Sequence, residues 1–224
     1  GILVVNAAGN DGTDSWKVVG TPADADSVLS IGGIDPYTGY HINFSSFGPT
    51  TDKRMKPNVC AYGEVIVAGK TGLTSSQGTS FASPLVAGFA ACAWQANRDY
   101  NNMQMFQEIE KSASLYPYFD YAHGYGIPQA SYFVEKKTSV DDSTIEIVPE
   151  MDSIRVLVKS DTSANPFPYK KYFYYNIQNA DGTLSEYNVV NVSQKEVLHL
   201  NRKKFLPGQI LNMHYDSCTK MYGF

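Results

Sequence analysis

The chain opens on Gly1-Ile2-Leu3-Val4-Val5, an unbroken apolar run. Such a run predicts a strand over residues 2–8 that is buried on both faces, as inside a parallel sheet. Residues 27–32 and 65–68 are further short apolar segments set between Gly- and Pro-bearing loops. Residues 79–97 read as a helix rich in small side chains, among them Ala82, Ser83, Ala87, Gly88, Ala90, Ala91 and Ala93. Small or apolar on nearly every side, this helix is expected in the interior. Pro84 falls in its first turn, where a missing N–H does little harm. Residues 102–113 are amphipathic, with Met105, Phe106 and Ile109 opposite Glu108 and Lys111.

The period then changes. Residues 135–142 (EKKTSVDD) are polar throughout and predict a linker. Beyond them Ile154, Val156 and Val158 alternate with Arg155 and Lys159, and residues 172–177 and 187–192 flank Ala180-Asp181-Gly182-Thr183, a hairpin signal. The fold class expected is therefore α/β over residues 1–137, followed by a small all-β, sandwich-like domain over residues 138–224.

Composition narrows the function classes. The 224 residues carry a formal charge of −4, which supplies no electrostatic drive toward nucleic acid or anionic lipid. Hydrophobics at 43% and aromatics at 13% exclude a disordered tail. No apolar run reaches the roughly 18 residues of a membrane span. Three Cys are no disulfide framework. Cys92, inside the apolar helix, is expected as a buried thiol, and Cys60 and Cys218 are open to pairing or to staying free. The opening run has no basic segment before it and no small-residue cleavage site after it, so it is not a signal peptide. A chain that starts within a buried strand is expected to be a fragment.

Two segments carry candidate chemistry. The first, Ala7-Ala8-Gly9-Asn10-Asp11-Gly12, lies at the carboxyl end of the opening strand, where open α/β sheets bind ligands. Asn and Gly are also routine in a plain strand-to-turn connection. The second is Gln77-Gly78-Thr79-Ser80-Phe81-Ala82-Ser83-Pro84-Leu85-Val86-Ala87-Gly88. It sets a serine at a helix N-terminus, where unpaired N–H groups favour an anion formed beside it. The plainer use of Thr79 or Ser80 there is an N-cap.

Together and in this order, the two segments resemble the subtilisin-like serine peptidases. Gly78 to Gly88 match that family's nucleophile motif, and Ala7 to Asn10 its oxyanion segment. Val19-Gly20-Thr21-Pro22, Ser27-Val28-Leu29-Ser30-Ile31-Gly32, Phe44-Ser45-Ser46-Phe47-Gly48-Pro49, Lys56-Pro57-Asn58-Val59 and Gly124-Tyr125-Gly126-Ile127 add further matches, so the resemblance covers residues 1 to about 134. It implies the C-terminal part of a subtilisin-like parallel-sheet domain. It implies Ser80 as nucleophile, Asn10 as oxyanion donor beside the Ser80 N–H, and Thr79 in support. Ala7, Ala8, Gly9, Val19 and Gly20 would line the pocket for the side chain before the scissile bond. Small and apolar, they suit a large apolar side chain, whereas Asp11 at the rim would attract a basic one.

The family's Asp and His precede the oxyanion asparagine in the chain, and residues 1–9 here contain neither. His41, His123, His199 and His214 lack the family's setting, and His123 is expected to be a packed or surface side chain. The expected reaction is peptide hydrolysis once the upstream Asp and His are supplied. The alternative is an inactive scaffold that binds protein. The expected partners are a protein or peptide substrate and the N-terminal part of the same protein, with self-association through the strand at residues 1–8 as a further outcome. No nucleic acid and no membrane span are expected. No cofactor is expected, although Asp24 with Asp26, or Asp141 with Asp142, offers carboxylates of the kind that hold calcium. The resemblance further implies secretion, to the extracellular space or the periplasm.

Overall fold

The computed structural model describes residues 1–135, 144–159, 172–192 and 195–224. It divides into two compact units, Gly1–Lys137 and Thr138–Phe224, and each is described by itself.

In the first unit β1 (Val4–Ala7), β2 (Val28–Ile34) and β3 (Val59–Tyr62) form a parallel sheet in that order. Central β2 is nearly all buried, whereas Val4 on the outer strand is 45% exposed and Ile2 lies outside the strand altogether. The expectation that the opening run is buried on both faces is thus corrected. Among the described residues only β2 pairs with β1, so its other edge is open.

Helix α1 (Thr79–Ala96) covers the sheet. Ala82, Val86, Ala90 and Ala93 recur at helical spacing and meet Leu29, Ile31, Val59 and Ala61 from the strands. Within the helix that stripe and Thr79 at its start are the buried positions. Leu85, Ala87, Gly88 and Cys92 are exposed, so neither the interior helix nor the buried Cys92 thiol is realised. Small side chains on every side let the helix approach the sheet closely, but they do not require cover all round. Helix α2 (Asn102–Ser112) adds Met105, Phe106 and Ile109 to the same core. It starts at a capping box: the Asn101 side chain accepts from the Met103 and Gln104 N–H groups, and the Gln104 side chain accepts from the Asn101 N–H. Residues 65–68, expected as one more strand of the α/β pattern, belong to an antiparallel ribbon of β4 (Glu64–Gly69) with β5 (Gly72–Gln77). A short helix, α3 (Ser131–Val134), ends the described part of this unit.

In the second unit every pairing among the described residues is antiparallel. One sheet has β6 (Ile145–Pro149), β7 (Ser153–Val158) and β10 (Glu196–Asn201), with β7 central. The other runs β12 (Cys218–Gly223), β11 (Ile210–Tyr215), β8 (Tyr172–Gln178), β9 (Leu184–Asn191). Ile154, Val156 and Val158, the period-two positions of β7, are buried against Phe173, Tyr175, Leu211 and Met213 from the other sheet. The hairpin between β8 and β9 turns at residues 179–183, where Gly182 has φ +84° and the Asp181 carboxylate accepts the Thr183 N–H. Cys60 and Cys218 are both buried, and neither is in a disulfide. The expected linker lies largely outside the described residues.

Candidate active site

The carboxyl end of β1 delivers the loop of Gly9, Asn10 and Asp11 beside the N-terminus of α1. Gly78, the residue before α1, has φ +152°. A β-carbon there would stand 2.9 Å from Ser80 Oγ and 3.7 Å from Asn10 Nδ2. The two side chains therefore flank one glycine that leaves room for both.

Asn10 is oriented by its neighbour. The buried Thr79 donates to Asn10 Oδ1 through its N–H at 2.8 Å and its hydroxyl at 2.9 Å. Thr79 Oγ1 also lies 3.3 Å from the Gly9 N–H that it accepts and 3.2 Å from the Gly9 carbonyl. With Oδ1 so engaged, the amide's other end, Nδ2, keeps both protons for an outside acceptor. Asn10 Nδ2, the Ser80 N–H and the Ser80 hydroxyl have no hydrogen-bond partner among the described residues. Ser80 is exposed and stands in the first turn of α1, where the helix's partial positive charge is greatest.

The loop is seated on residues 43–46. Asp11 N–H donates to Ser46 Oγ at 3.1 Å, Ser46 N–H to the Gly9 carbonyl at 3.0 Å, and Gly12 N–H to the Phe44 carbonyl at 2.8 Å. Gly9 has φ +117°, and a β-carbon on it would come within 2.6 Å of Ser46 Oγ. The buried Ser45 accepts the Gly33 N–H at 2.9 Å, which ties this cradle to the end of β2. The segment Phe44 to Pro49 carried no chemistry in the sequence, and its task is to hold the loop. Repeated serine in an otherwise apolar stretch was the available signal, since buried hydroxyls need partners.

The remaining candidates separate. Ala8 and Val19 are buried together with Ala23, Ala7 is half-buried, and Gly20 faces open space. Asp11 is half-buried at the loop's edge. Arg54 reaches the Asp26 carboxylate at 2.7 Å, the Asp24 carbonyl at 2.6 Å and the Asp52 carboxylate at 2.8 Å, so it pairs with one of the two carboxylates considered for calcium there, while the Asp24 carboxylate accepts the Thr21 hydroxyl at 3.4 Å. Asp141 and Asp142 lie outside the described residues. His123 is buried, with Nδ1 at 3.0 Å from Asp120 and Nε2 accepting the His41 N–H at 3.1 Å, so both ring nitrogens are committed away from Ser80.

The sequence model of the subtilase family (Peptidase_S8) matches residues 1–126, more than half of the chain. The subtilisin-like protease SBT6.1 of Arabidopsis thaliana is 45% identical over 96 residues, which is 39% of this chain and 9% of that protein. Subtilisin DY of Bacillus licheniformis is 42% identical over 92 residues, 41% of this chain and 32% of that protein. Among solved structures sphericase superposes with a TM-score of 0.50 at 27% identity, over 58% of this chain and 48% of its own. The chain thus spans a third or less of these two curated relatives. No helix among the described residues is long and apolar enough to cross a membrane. With the matched span enclosing both the Asn10 loop and the α1 N-terminus, the chain belongs to the subtilase family of serine peptidases.

Proposed function

We propose that this chain carries the nucleophile and oxyanion site of a serine endopeptidase whose Asp and His lie in sequence outside these 224 residues. Ser80 Oγ attacks the scissile carbonyl carbon as the histidine takes its proton. The oxyanion accepts hydrogen bonds from Asn10 Nδ2 and the Ser80 N–H, and Thr79 holds Asn10 in place. The histidine's proton then passes to the leaving amine, and water cleaves the acyl-serine ester by the same route in reverse. The observation that carries this reading is the pair of unpartnered donors, Asn10 Nδ2 and the Ser80 N–H, beside an exposed serine hydroxyl. A passive binding surface has no need of Asn10 oriented through two bonds from Thr79.

The substrate is protein or peptide, with Ala7, Ala8, Gly9, Asp11, Val19 and Gly20 around the side chain before the scissile bond. The open edge of β1, with Val4 and Ile2 exposed beside it, is where the remainder of the same polypeptide would pair, or a second copy in its place. Action outside the cytosol rests on the family resemblance alone. The test is casein hydrolysis by the longer polypeptide that contains this chain. Hydrolysis that Ser80→Ala abolishes in a folded protein is the expected result, and hydrolysis unchanged by Ser80→Ala would overturn the assignment.

A further inference from the structure

The turn at residues 120–123 takes no part in the chemistry above, yet it holds an ionisable pair deep in the first unit. The Asp120 carboxylate, wholly buried, accepts the Ala122 N–H at 2.9 Å, the His123 N–H at 2.7 Å and the His123 ring at Nδ1. Burial alone would raise this carboxyl. The hydrogen bonds it accepts from the His123 ring and from the His123 and Ala122 N–H groups outweigh it and hold Asp120 below the usual range. A carboxylate at Nδ1 puts the ring's proton there, leaving Nε2 as an acceptor. Nε2 accepts the His41 backbone N–H at 3.1 Å.

Further along the same segment the Gly48 N–H donates to the Tyr121 carbonyl at 2.8 Å. The turn therefore grips residues 41–48 at both ends. Between those ends lie the groups that seat the Asn10 loop, namely the Phe44 carbonyl and the N–H and hydroxyl of Ser46. Within the span the His41 ring stacks on Phe47 at 4.2 Å, and the Ser45 N–H donates to the Ile42 carbonyl at 2.9 Å. Burial pushes His41 down to about 4, so it stays neutral.

We propose that His123 is a positioning residue for the oxyanion site, its Nε2 fixing His41 and, through residues 41–48, the loop that aims Asn10. This rests on the reading of Asn10 as oxyanion donor. Two substitutions separate the ring's two bonds. His123→Asn keeps a donor toward Asp120 but is too short to accept from His41, whereas His123→Gln returns an acceptor at the Nε2 position. In the active, longer polypeptide His123→Asn lowers kcat about tenfold, the size of one such bond in the transition state, and leaves KM within about twofold. His123→Gln recovers most of that loss. In an Asn10→Ala background His123→Asn has little further effect, because both act through one amide. Equal activity of the two His123 variants, or a loss that multiplies with that of Asn10→Ala, makes the turn mere packing and overturns the proposal. An Asn10→Ala variant with unchanged kcat overturns the oxyanion reading itself, and that single variant reveals it. A measurement free of substitution is the nitrogen-15 spectrum of the His123 ring in the unaltered protein. A proton on Nδ1 alone is expected, and a proton on Nε2 contradicts the proposal whatever the variants do.

Discussion

At the scale of the residue the site depends on where two glycines leave space. Gly9 at φ +117° sits against Ser46 Oγ, and Gly78 at φ +152° sits against Ser80 Oγ. Both conformations disfavour side chains, and both neighbours leave no room for one. Gly9→Ala should therefore lower stability by about 1–3 kcal/mol through backbone strain and a displaced Ser46, read as a fall in thermal midpoint. An unchanged midpoint would mean that the loop is not seated as described. On the proposed function, Asn10→Ala removes a donor whose acceptor bears full charge only in the transition state. The expected result is kcat lower by about 10²–10³ with KM nearly constant; a change in KM alone would remove Asn10 from the oxyanion site.

At the scale of the element, burial of a lysine links three segments. Lys56 Nζ donates to the Val28 carbonyl at 2.6 Å and to Asn58 Oδ1 at 2.8 Å, while Asn58 Nδ2 donates to Glu110 of α2 at 2.8 Å. Burial lowers the Lys56 ammonium from 10.5 to about 8. The folded state therefore binds fewer protons than the unfolded chain between those values, so this group's contribution to stability rises with pH across that window. The stability difference between the native protein and Lys56→Met should move in favour of the native protein from pH 8 to 10, by about 2 kcal/mol. A difference that is flat with pH in denaturant titrations would contradict this account of Lys56. The legibility of elements followed their patterns. Period two gave β7, and amphipathic spacing gave α2, because in each the buried face is marked by larger side chains. Helix α1 misled, since alanine and glycine mark no face, and its buried side is set by the strands beneath it. The Asn10 and Ser80 segments were legible as local motifs. The Ser45, Ser46 and His123 supports were not, because each acts on a residue distant in sequence.

At the scale of the whole molecule the two large cores among the described residues are distinct, one around Ile31, Val86 and Ile109 and one around Val156, Phe173 and Met213. The polar residues 135–142 offer few apolar side chains to merge them. Limited proteolysis should cut there first and leave a stable piece of about 80 residues, the scale of a small domain; cleavage elsewhere with that stretch protected would argue for one merged core. The isolated 224-residue chain should be nearly inactive, because a serine hydroxyl without an adjacent base is a weak nucleophile. The most direct test of the central claim is to map a fluorophosphonate adduct by mass spectrometry on this chain and on the longer polypeptide that contains it. One adduct is expected, on Ser80, formed readily in the longer polypeptide and scarcely in the isolated chain. Ready labelling of another residue, or an active longer polypeptide whose Ser80 stays unmodified, would contradict it.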